Sequence, residues 1–348
     1  MNYRNIFITL AALSGTVTAS AWSAESATVA FLMPDQASTR YEQHDFPGFK
    51  AEMSKLCADC KVIYQNANAN ASLQQQQFNS VIAQGAKVIV LDPVDSSAAA
   101  ALVENAQAQG VKVIAYDRPV PDKPADFYVS FDNEGIGYAI AKSLTDHLKA
   151  SGVPQDAGVL QINGSPTDAA AGLIRDGIHR GLKESGYKTL AEFDTPEWAP
   201  PKAQEWTAGQ VTRFGDKIKG VVAANDGTGG GAIAAFKAAG VQPLPPVTGN
   251  DATIAALQLI IAGDQYNTIS KPSEIVAAAA AKVAVDFIQG KKPQASTTLY
   301  NTPSQLFTPE VVTAKNIKAE IFDKKIQTWD LVCSGEYAAA CQKLGISK

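Results

Sequence analysis

The sequence predicts an α/β fold with two doubly wound parallel-sheet domains that are joined by a multi-strand hinge. Short hydrophobic strands alternate with helices along most of the chain, and this order favours parallel sheets with helices on both faces. The length of 348 residues suits about two domains. A strand and a long helix then follow the second run of alternation, so the chain has elements that can cross back to the first domain.

The first run of alternation supplies five strands. In the segment KVIAYDR, residues 112–118, four mostly apolar residues fit a strand that is buried on both faces. That strand then ends in an acid, a base and Pro119. The predicted strands are 29–34, 61–67, 87–93, 112–118 and 126–132, and the predicted helices are about 47–56, 72–84 and 96–109.

The second run repeats the pattern without repeating the sequence. Its predicted strands are 158–164, 189–194, 220–226 and 246–251, and its predicted helices are 134–150, 169–186, 203–214, 229–240 and 254–263. The strand 266–270 and the helix 272–290 fit a return to the first domain, and the extended segment 298–312 can cross back again. The predicted division is a signal peptide 1–24, a first lobe 25–128 plus 270–298, a second lobe 129–269 plus 299–325, and a tail 326–348.

The N-terminus predicts export. Arg4 precedes a short apolar run, residues 6–17, and small residues follow it, with cleavage expected after Ala21 or Ala24. The apolar run is too short to span a bilayer, so we expect a soluble, periplasmic mature protein. The net charge of -4 argues against a nucleic-acid partner.

Four cysteines form two local pairs, Cys57 with Cys60 and Cys333 with Cys341. Four cysteines allow three connectivities, and the two local bridges are the simplest in an exported protein. The alternative for the first pair is a redox or metal site. Reactive pairs sit at a helix N-terminus, whereas this pair follows a predicted helix and precedes a strand, so we expect structural disulfides.

Polar side chains collect after the predicted strands, at the edge where open parallel sheets bind their ligands. A sugar suits this mixture, because each hydroxyl both donates and accepts hydrogen bonds and an aromatic face such as Trp198 can cover the ring. The charges are roughly balanced, which favours a neutral ligand. The candidate ligand-binding residues are Arg40, Asp117, Arg118, Asp168, Trp198, Asn225, Asp251 and Lys271.

Two enzymatic interpretations are less consistent with the sequence. Residues 227–232 satisfy G-x-G-x-x-A, and Asp251 follows about 20 residues later, as in a dinucleotide site. However, Asp226 would direct a carboxylate at the pyrophosphate, and we expect this residue to cap the next helix instead. Glycosidases use paired carboxylates, but each candidate Asp here has a basic or amide neighbour. We therefore expect no catalysis, no cofactor and no metal.

Seven segments carry a resemblance to a known family: STRYE (38–42), KVIAYDR (112–118), DFYVSFDNE (126–134), NGSPTD (163–168), the run 225–233, GNDA (249–252) and SKP (270–272). Together they resemble the periplasmic D-xylose-binding proteins, which are sugar-binding components of ABC importers in the ribose/galactose-binding group. The resemblance covers about residues 29–317 and departs at the alanines 169–171, at Asn250, where a Gln is usual, and in the tail.

The resemblance implies a type I periplasmic-binding fold and a pyranose enclosed between two lobes by the same eight candidate residues. It also implies an ABC transporter permease as the partner of a monomeric protein. A chemoreceptor or a sensory kinase is an alternative partner, and an exported sugar-active enzyme is an alternative function.

Overall fold

The computed structural model describes residues 27–348, so the predicted signal peptide lies outside the described residues. The strands are β1 (Thr28–Met33), β2 (Lys61–Asn66), β3 (Ala86–Leu91), β4 (Lys112–Tyr116), β5 (Phe127–Phe131), β6 (Gly158–Asn163), β7 (Lys188–Asp194), β8 (Ile218–Ala223), β9 (Asn267–Ser270), β10 (Thr297–Leu299), β11 (Thr302–Phe307) and β12 (Glu310–Thr313). The α-helices are α1 (Phe46–Leu56), α2 (Ala71–Ala83), α3 (Ala99–Ala108), α4 (Asn133–Ala150), α5 (Ala169–Ser185), α6 (Pro200–Phe214), α7 (Asp226–Ala238), α8 (Ile254–Ala262), α9 (Ser273–Ile288), α10 (Trp329–Val332) and α11 (Ala338–Lys343).

The first lobe is built on a sheet with the strand order β10-β11-β5-β4-β3-β1-β2. Its neighbouring strands are parallel, except for the antiparallel pair β10 and β11. In β1, Phe31 packs in the hydrophobic cluster that includes residues of α1 and α9, whereas Leu32 packs in the cluster that includes residues of α2 and α3. Both residues are fully buried because helices cover both faces of the sheet, as the apolar run predicted.

The second lobe has a parallel sheet with the order β7-β6-β8, and the antiparallel pair β9 and β12 lies beside it. Val159 and Val222 belong to the apolar cluster that contains residues of α4 and α5, while Ile162 and Val221 belong to the cluster with residues of α6 and α7. The predicted strand 246–251 is reduced to a single bridge between Val221 and Val247.

The chain crosses between the lobes at three places: Asp132 between β5 and α4, Lys271–Pro272 between β9 and α9, and residues 308–309 between β11 and β12. Two expectations for this region are wrong. The strand β9 does not return with α9, since it pairs with β12. Residues 302–307, which we expected in the second lobe, pair with β5 in the first sheet.

The C-terminal tail packs on the second lobe. Cys333 and Cys341 form a disulfide, and both are fully buried in a cluster that includes Leu257 and Ile260 of α8. Cys57 and Cys60 form the second disulfide directly after α1. Within the described part of the chain, no helix has the length and the apolar composition that a membrane span requires.

Candidate functional site

A cavity of about 340 Å³ lies between the two lobes, where the loops after the parallel strands meet. Seven of the eight candidate residues line it, and Arg118 lies behind them. The lining consists of Ser38, Arg40, Tyr41, Asp117, Asn133, Asp168, Ala170, Ile174, Trp198, Asn225, Asn250, Asp251 and Lys271.

Arg40 and Lys271 are the two cationic side chains that line the cavity. The Arg40 guanidinium contacts Asp45 at 3.0 Å, forms an ion pair with Asp117, and lies 3.9 Å from Asp251. Lys271 Nζ lies 3.3 Å from Asp117 and 3.5 Å from Asp251. Since Asp117 belongs to the first lobe, Asp251 to the second and Lys271 to the hinge, this cluster connects all three parts of the molecule.

Asp117 and Asp251, the two carboxylates of this cluster that line the cavity, differ in their proton affinity. Burial alone would raise the pKa of Asp117, but Arg40, Lys271 and Arg118 outweigh burial and hold the pKa well below its usual range. Burial raises the pKa of Asp251 despite Lys271 and Arg40. Asp117 is therefore a firmly ionised hydrogen-bond acceptor.

Arg118 supports the cavity from behind. Its guanidinium contacts Asp35 at 2.7 Å and Asp92 at 3.4 Å in the first lobe, and Asp168 at 3.2 Å in the second lobe. It also donates to the carbonyl of Pro93 at 3.2 Å. Asp92, which is fully buried, thus helps to hold Arg118, and Arg118 joins the lobes through Asp168.

Asp168 and Trp198 form a pair in the second lobe. The Trp198 indole Nε1–H donates to Asp168 Oδ2 at 3.0 Å, and Asp168 Oδ1 accepts the backbone N–H of Ala170 as the N-cap of α5. A Cβ on Gly164 would lie 2.1 Å from the Trp198 ring, so only glycine admits the indole at this place. The loop after β7 thereby presents an aromatic side chain to the cavity.

Asn225 and Asp226 follow β8 and have different roles. The Asn225 side-chain oxygen caps α7 by accepting the N–H and the hydroxyl of Thr228, each at 2.9 Å. The expectation that Asp226 caps this helix is wrong. Its carboxylate instead accepts the N–H of Thr253 at 2.8 Å and the hydroxyl of Thr268 at 2.7 Å. Burial, followed by the charge of Asp251, raises the pKa of Asp226 to about 7.

The glycine-rich turn after β8 serves packing. A Cβ on Gly229 would lie 2.6 Å from the carbonyl oxygen of Thr248, so the glycine lets the start of α7 approach its neighbouring segment. The buried Asp226 carboxylate stands at the start of the same turn. A carboxylate at this position would repel the negative charges of a pyrophosphate, so the turn does not fit a dinucleotide site. Among the described residues, no group of three or more His, Cys, Asp and Glu side chains has metal-binding geometry.

The eight candidate residues did not include four polar residues that line the cavity: Ser38, Tyr41, Asn133 and Asn250. The Tyr41 hydroxyl donates to Asp117 at 3.2 Å, and Asn133 donates to the Ser130 hydroxyl at 3.3 Å. Asn133 begins α4, two residues after the end of β5, so the rule that searched the strand ends could have found it. Tyr41 begins a π-helical turn, Tyr41–Asp45, where the sequence predicted a loop.

Three of the eight candidate residues have left-handed backbone conformations. The φ angles are 57° for Asp117, 56° for Trp198 and 104° for Asp251. A non-glycine residue rarely adopts this region, and such strain is concentrated at binding and catalytic sites. The surrounding hydrogen bonds and ion pairs hold each of these side chains toward the cavity.

The fold and the site define a class of protein: a two-lobed receptor that encloses a small polar ligand between its lobes. The family model of the periplasmic binding protein domain matches residues 29–292. The D-xylose-binding periplasmic protein of Escherichia coli (strain K12) is 37% identical over 326 residues, which cover 91% of this chain and 96% of that protein. The chain belongs to the periplasmic binding protein family, and its homologues are periplasmic sugar-binding proteins.

Two solved structures extend this similarity. An ABC transporter solute binding protein from Clostridium phytofermentans with bound β-D-glucose has a TM-score of 0.78 and 25% identity, over 88% of this chain and 99% of that one. The Caulobacter myo-inositol binding protein bound to myo-inositol has a TM-score of 0.74 and 26% identity, over 86% of this chain and 97% of that one. The predicted type I periplasmic-binding fold is thus confirmed.

Proposed function

We propose that the mature protein is a periplasmic receptor, not an enzyme, that closes on a neutral monosaccharide or a related cyclic polyol. The observation that carries this proposal is the cavity between the lobes, which combines carboxylates, cations, amides and an indole in one lining. Hydroxyl groups that both donate and accept can satisfy all of these polar partners. The names of the similar proteins mention D-xylose, β-D-glucose and myo-inositol, which are all neutral polyols.

The charges around the cavity favour a neutral ligand. Arg40 and Lys271 are already paired with Asp117 and Asp251, and Arg118 is paired with Asp168. An anionic ligand would need cationic groups that are not committed to carboxylates. A neutral ligand can instead accept from the cations and donate to the carboxylates, and such charge-assisted hydrogen bonds are about twice as strong as neutral ones.

The two lobes contribute different parts of the lining, so affinity depends on closure. The first lobe supplies Arg40 and Asp117, while the second supplies Trp198, Asn225 and Asp251. A ligand that contacts both sets favours the closed state through its better contacts there. We infer that the closed form is recognised by the permease of an ABC importer. A chemoreceptor or a sensory kinase is the alternative partner.

A thermal-shift screen of the purified mature protein tests the proposed ligand class. The panel is D-xylose, D-glucose, D-ribose and myo-inositol, with glucose 6-phosphate and NAD as controls. A ligand at one hundred times its dissociation constant adds about 2.7 kcal/mol to the free energy of unfolding, so one neutral polyol should raise the melting temperature clearly. Stabilisation by the phosphate or NAD alone, or turnover of a bound sugar, would contradict the proposal.

A pair of tryptophan variants tests the location of the site. Trp198→Ala should lose most of the affinity and keep its fold, because the indole lines the cavity. Trp206→Ala is the matched control, since Trp206 stacks on Phe193 with ring centroids 5.3 Å apart and does not line the cavity. Isothermal titration calorimetry with the stabilising sugar measures both, and equal affinities would remove Trp198 from the site.

A further inference from the structure

Two loops from opposite lobes are hydrogen-bonded to each other at the rim of the cleft. The backbone N–H of Ser96 donates to the carbonyl of Thr167 at 3.0 Å, and the hydroxyl of Thr167 donates to the carbonyl of Val94 at 3.3 Å. The backbone N–H of Ala169 donates to the Ser96 hydroxyl oxygen at 3.1 Å. We call these four residues, Val94, Ser96, Thr167 and Ala169, the rim clasp, and none of them lines the cavity.

Ser96 completes the cap of a helix that belongs to the other lobe. The first N–H groups of an α-helix have no partner within the helix. At the start of α5, Asp168 accepts the N–H of Ala170 at 2.8 Å, and Ser96 from the first lobe accepts the N–H of Ala169. Ser96 is buried, so this bond forms in a place from which water is largely excluded. Separation of the lobes removes this partner from Ala169.

The rim clasp also brackets a residue of the binding site. Asp168 lies between Thr167 and Ala169, and its carboxylate accepts from Trp198 Nε1 at 3.0 Å and pairs with Arg118 of the first lobe at 3.2 Å. The backbone on both sides of Asp168 is thus tied to the first lobe. The clasp therefore fixes where Asp168 stands relative to Arg118 when the lobes are closed.

We propose that Ser96 is a positioning residue for ligand binding: through the rim clasp it stabilises the closed arrangement and adds to the affinity for every ligand without touching any of them. This inference rests on the proposed function. The apparent dissociation constant equals the intrinsic one divided by the fraction of binding-competent protein. When the unliganded protein is mostly open, the closed fraction is proportional to the equilibrium constant for closure. A variant that lowers this constant therefore raises the dissociation constants of all ligands by one common factor.

Two variants that remove the clasp hydroxyls provide the test. Ser96→Ala leaves the N–H of Ala169 without its partner, and Thr167→Val removes the bond to Val94. Ser54→Ala and Thr212→Val are the matched controls, because their hydroxyls bond to carbonyls of their own helices, those of Lys50 and Ala208. Calorimetric titration with D-xylose and with D-glucose measures the dissociation constants and the stoichiometry.

Ser96→Ala should weaken both sugars by the same factor, roughly three- to tenfold for one hydrogen bond, with an unchanged stoichiometry. Thr167→Val should act in the same direction, and both control variants should bind as the wild type does. Loss of folded protein would lower the stoichiometry and leave the dissociation constant of the remainder unchanged. Wild-type affinity in both clasp variants would overturn the proposal, as would a factor that differs between the two sugars.

Small-angle scattering at a fixed D-xylose concentration, close to the wild-type dissociation constant, gives a second readout. The double variant Ser96→Ala/Thr167→Val should have a larger radius of gyration than the wild type at that concentration, because fewer of its molecules are closed. Equal radii at that concentration would overturn the inference about the clasp. Failure of the wild type to bind any sugar would instead contradict the proposed function.

Discussion

Replacement of Asp117 by asparagine tests the cluster of ion pairs that Asp117 and Asp251 form with Arg40 and Lys271. Asp117 is 8% exposed and pairs with both Arg40 and Lys271. Removal of one partner from a buried ion pair costs about 3–5 kcal/mol, because it leaves an uncompensated charge. In the variant, Arg40 keeps its partner Asp45 at 3.0 Å, and Lys271 keeps Asp251 at 3.5 Å. We therefore expect the free energy of unfolding to fall by an amount at the lower end of this range, about 3 kcal/mol.

This loss should depend on pH in a definite direction. The pKa of Asp117 is depressed in the folded protein, while the unfolded chain has an ordinary value of about 3.9. The contribution of Asp117 to stability is therefore fully present above about pH 4 and decreases as the pH falls toward the folded pKa. The difference between wild type and Asp117→Asn should be constant from pH 7 to about pH 5 and should narrow below about pH 4.

Urea unfolding of the unliganded protein at pH 7, 5, 4 and 3 measures this difference. A loss of about 3 kcal/mol corresponds to a melting temperature lower by roughly 6–12 °C for lobes of this size. Asp156→Asn is the matched control, because Asp156 is exposed in the loop between α4 and β6. The reasoning fails if Asp117→Asn is as stable as the wild type at pH 7, or if the difference persists unchanged at pH 3.

Three further predictions concern other parts of the molecule. Gly164→Ala would place a Cβ 2.1 Å from the Trp198 ring, so the ring should be displaced and the sugar affinity measured by calorimetry should fall roughly tenfold or more. Gly172→Ala is the control and should leave the affinity unchanged, because nothing lies within 4 Å of its Cβ. The double variant Cys333→Ser/Cys341→Ser should lower the free energy of unfolding by about 2–3 kcal/mol in urea titrations, with unchanged sugar affinity, because the tail packs on α8; a loss of affinity would contradict this. The Asp226 carboxyl should titrate with a midpoint near pH 7 in carbon NMR spectra, where the variant Asp226→Asn identifies its signal. Because the pKa of Asp226 is raised in the folded protein, its contribution to the free energy of unfolding falls as the pH rises from about 4 to 7. A midpoint near pH 4 would refute the argument that burial raises this pKa.

The positions of the residues that line the cavity could be predicted because the fold has a simple rule. In a parallel sheet the carboxyl ends of the strands lie at one edge, so residues such as Arg40 and Asp117 of the first lobe, far apart in sequence, come together at that edge. The same rule works in both lobes, and the two edges face each other across the cleft. The strands themselves were predictable because sheets that are covered on both faces require continuous apolar runs.

Long-range pairing could not be predicted from local pattern. The strands β11 and β12 are separated by two residues, yet β11 joins the first sheet and β12 pairs with β9 in the second lobe. Both are short and partly exposed, so neither carries an apolar run that would assign it to one sheet. The pairing depends on which edge each strand meets after the hinge crossings, and that is a property of the whole fold.

The choice between adjacent polar residues was also beyond local reasoning. Asn225 and Asp226 both suit a helix N-cap by chemistry. Asn225 takes that position with extended backbone angles, φ of -149° and ψ of 172°, and Asp226 is thereby turned toward Thr253 and Thr268. These threonines come from segments much later in the chain, so the network that holds Asp226 becomes visible only in three dimensions.

The distribution of charge across the cleft explains why a neutral ligand and lobe closure belong together. Arg118 of the first lobe meets Asp168 of the second at 3.2 Å, and Arg40 of the first lobe lies 3.9 Å from Asp251 of the second. Closure therefore brings opposite charges together, and neither lobe depends on the ligand for a counter-charge. A charged ligand would disturb this balance, because burial of an uncompensated charge is costly. A polyol would leave the charges balanced, and hydroxyls that reach both lobes at once would let its binding free energy favour the closed state.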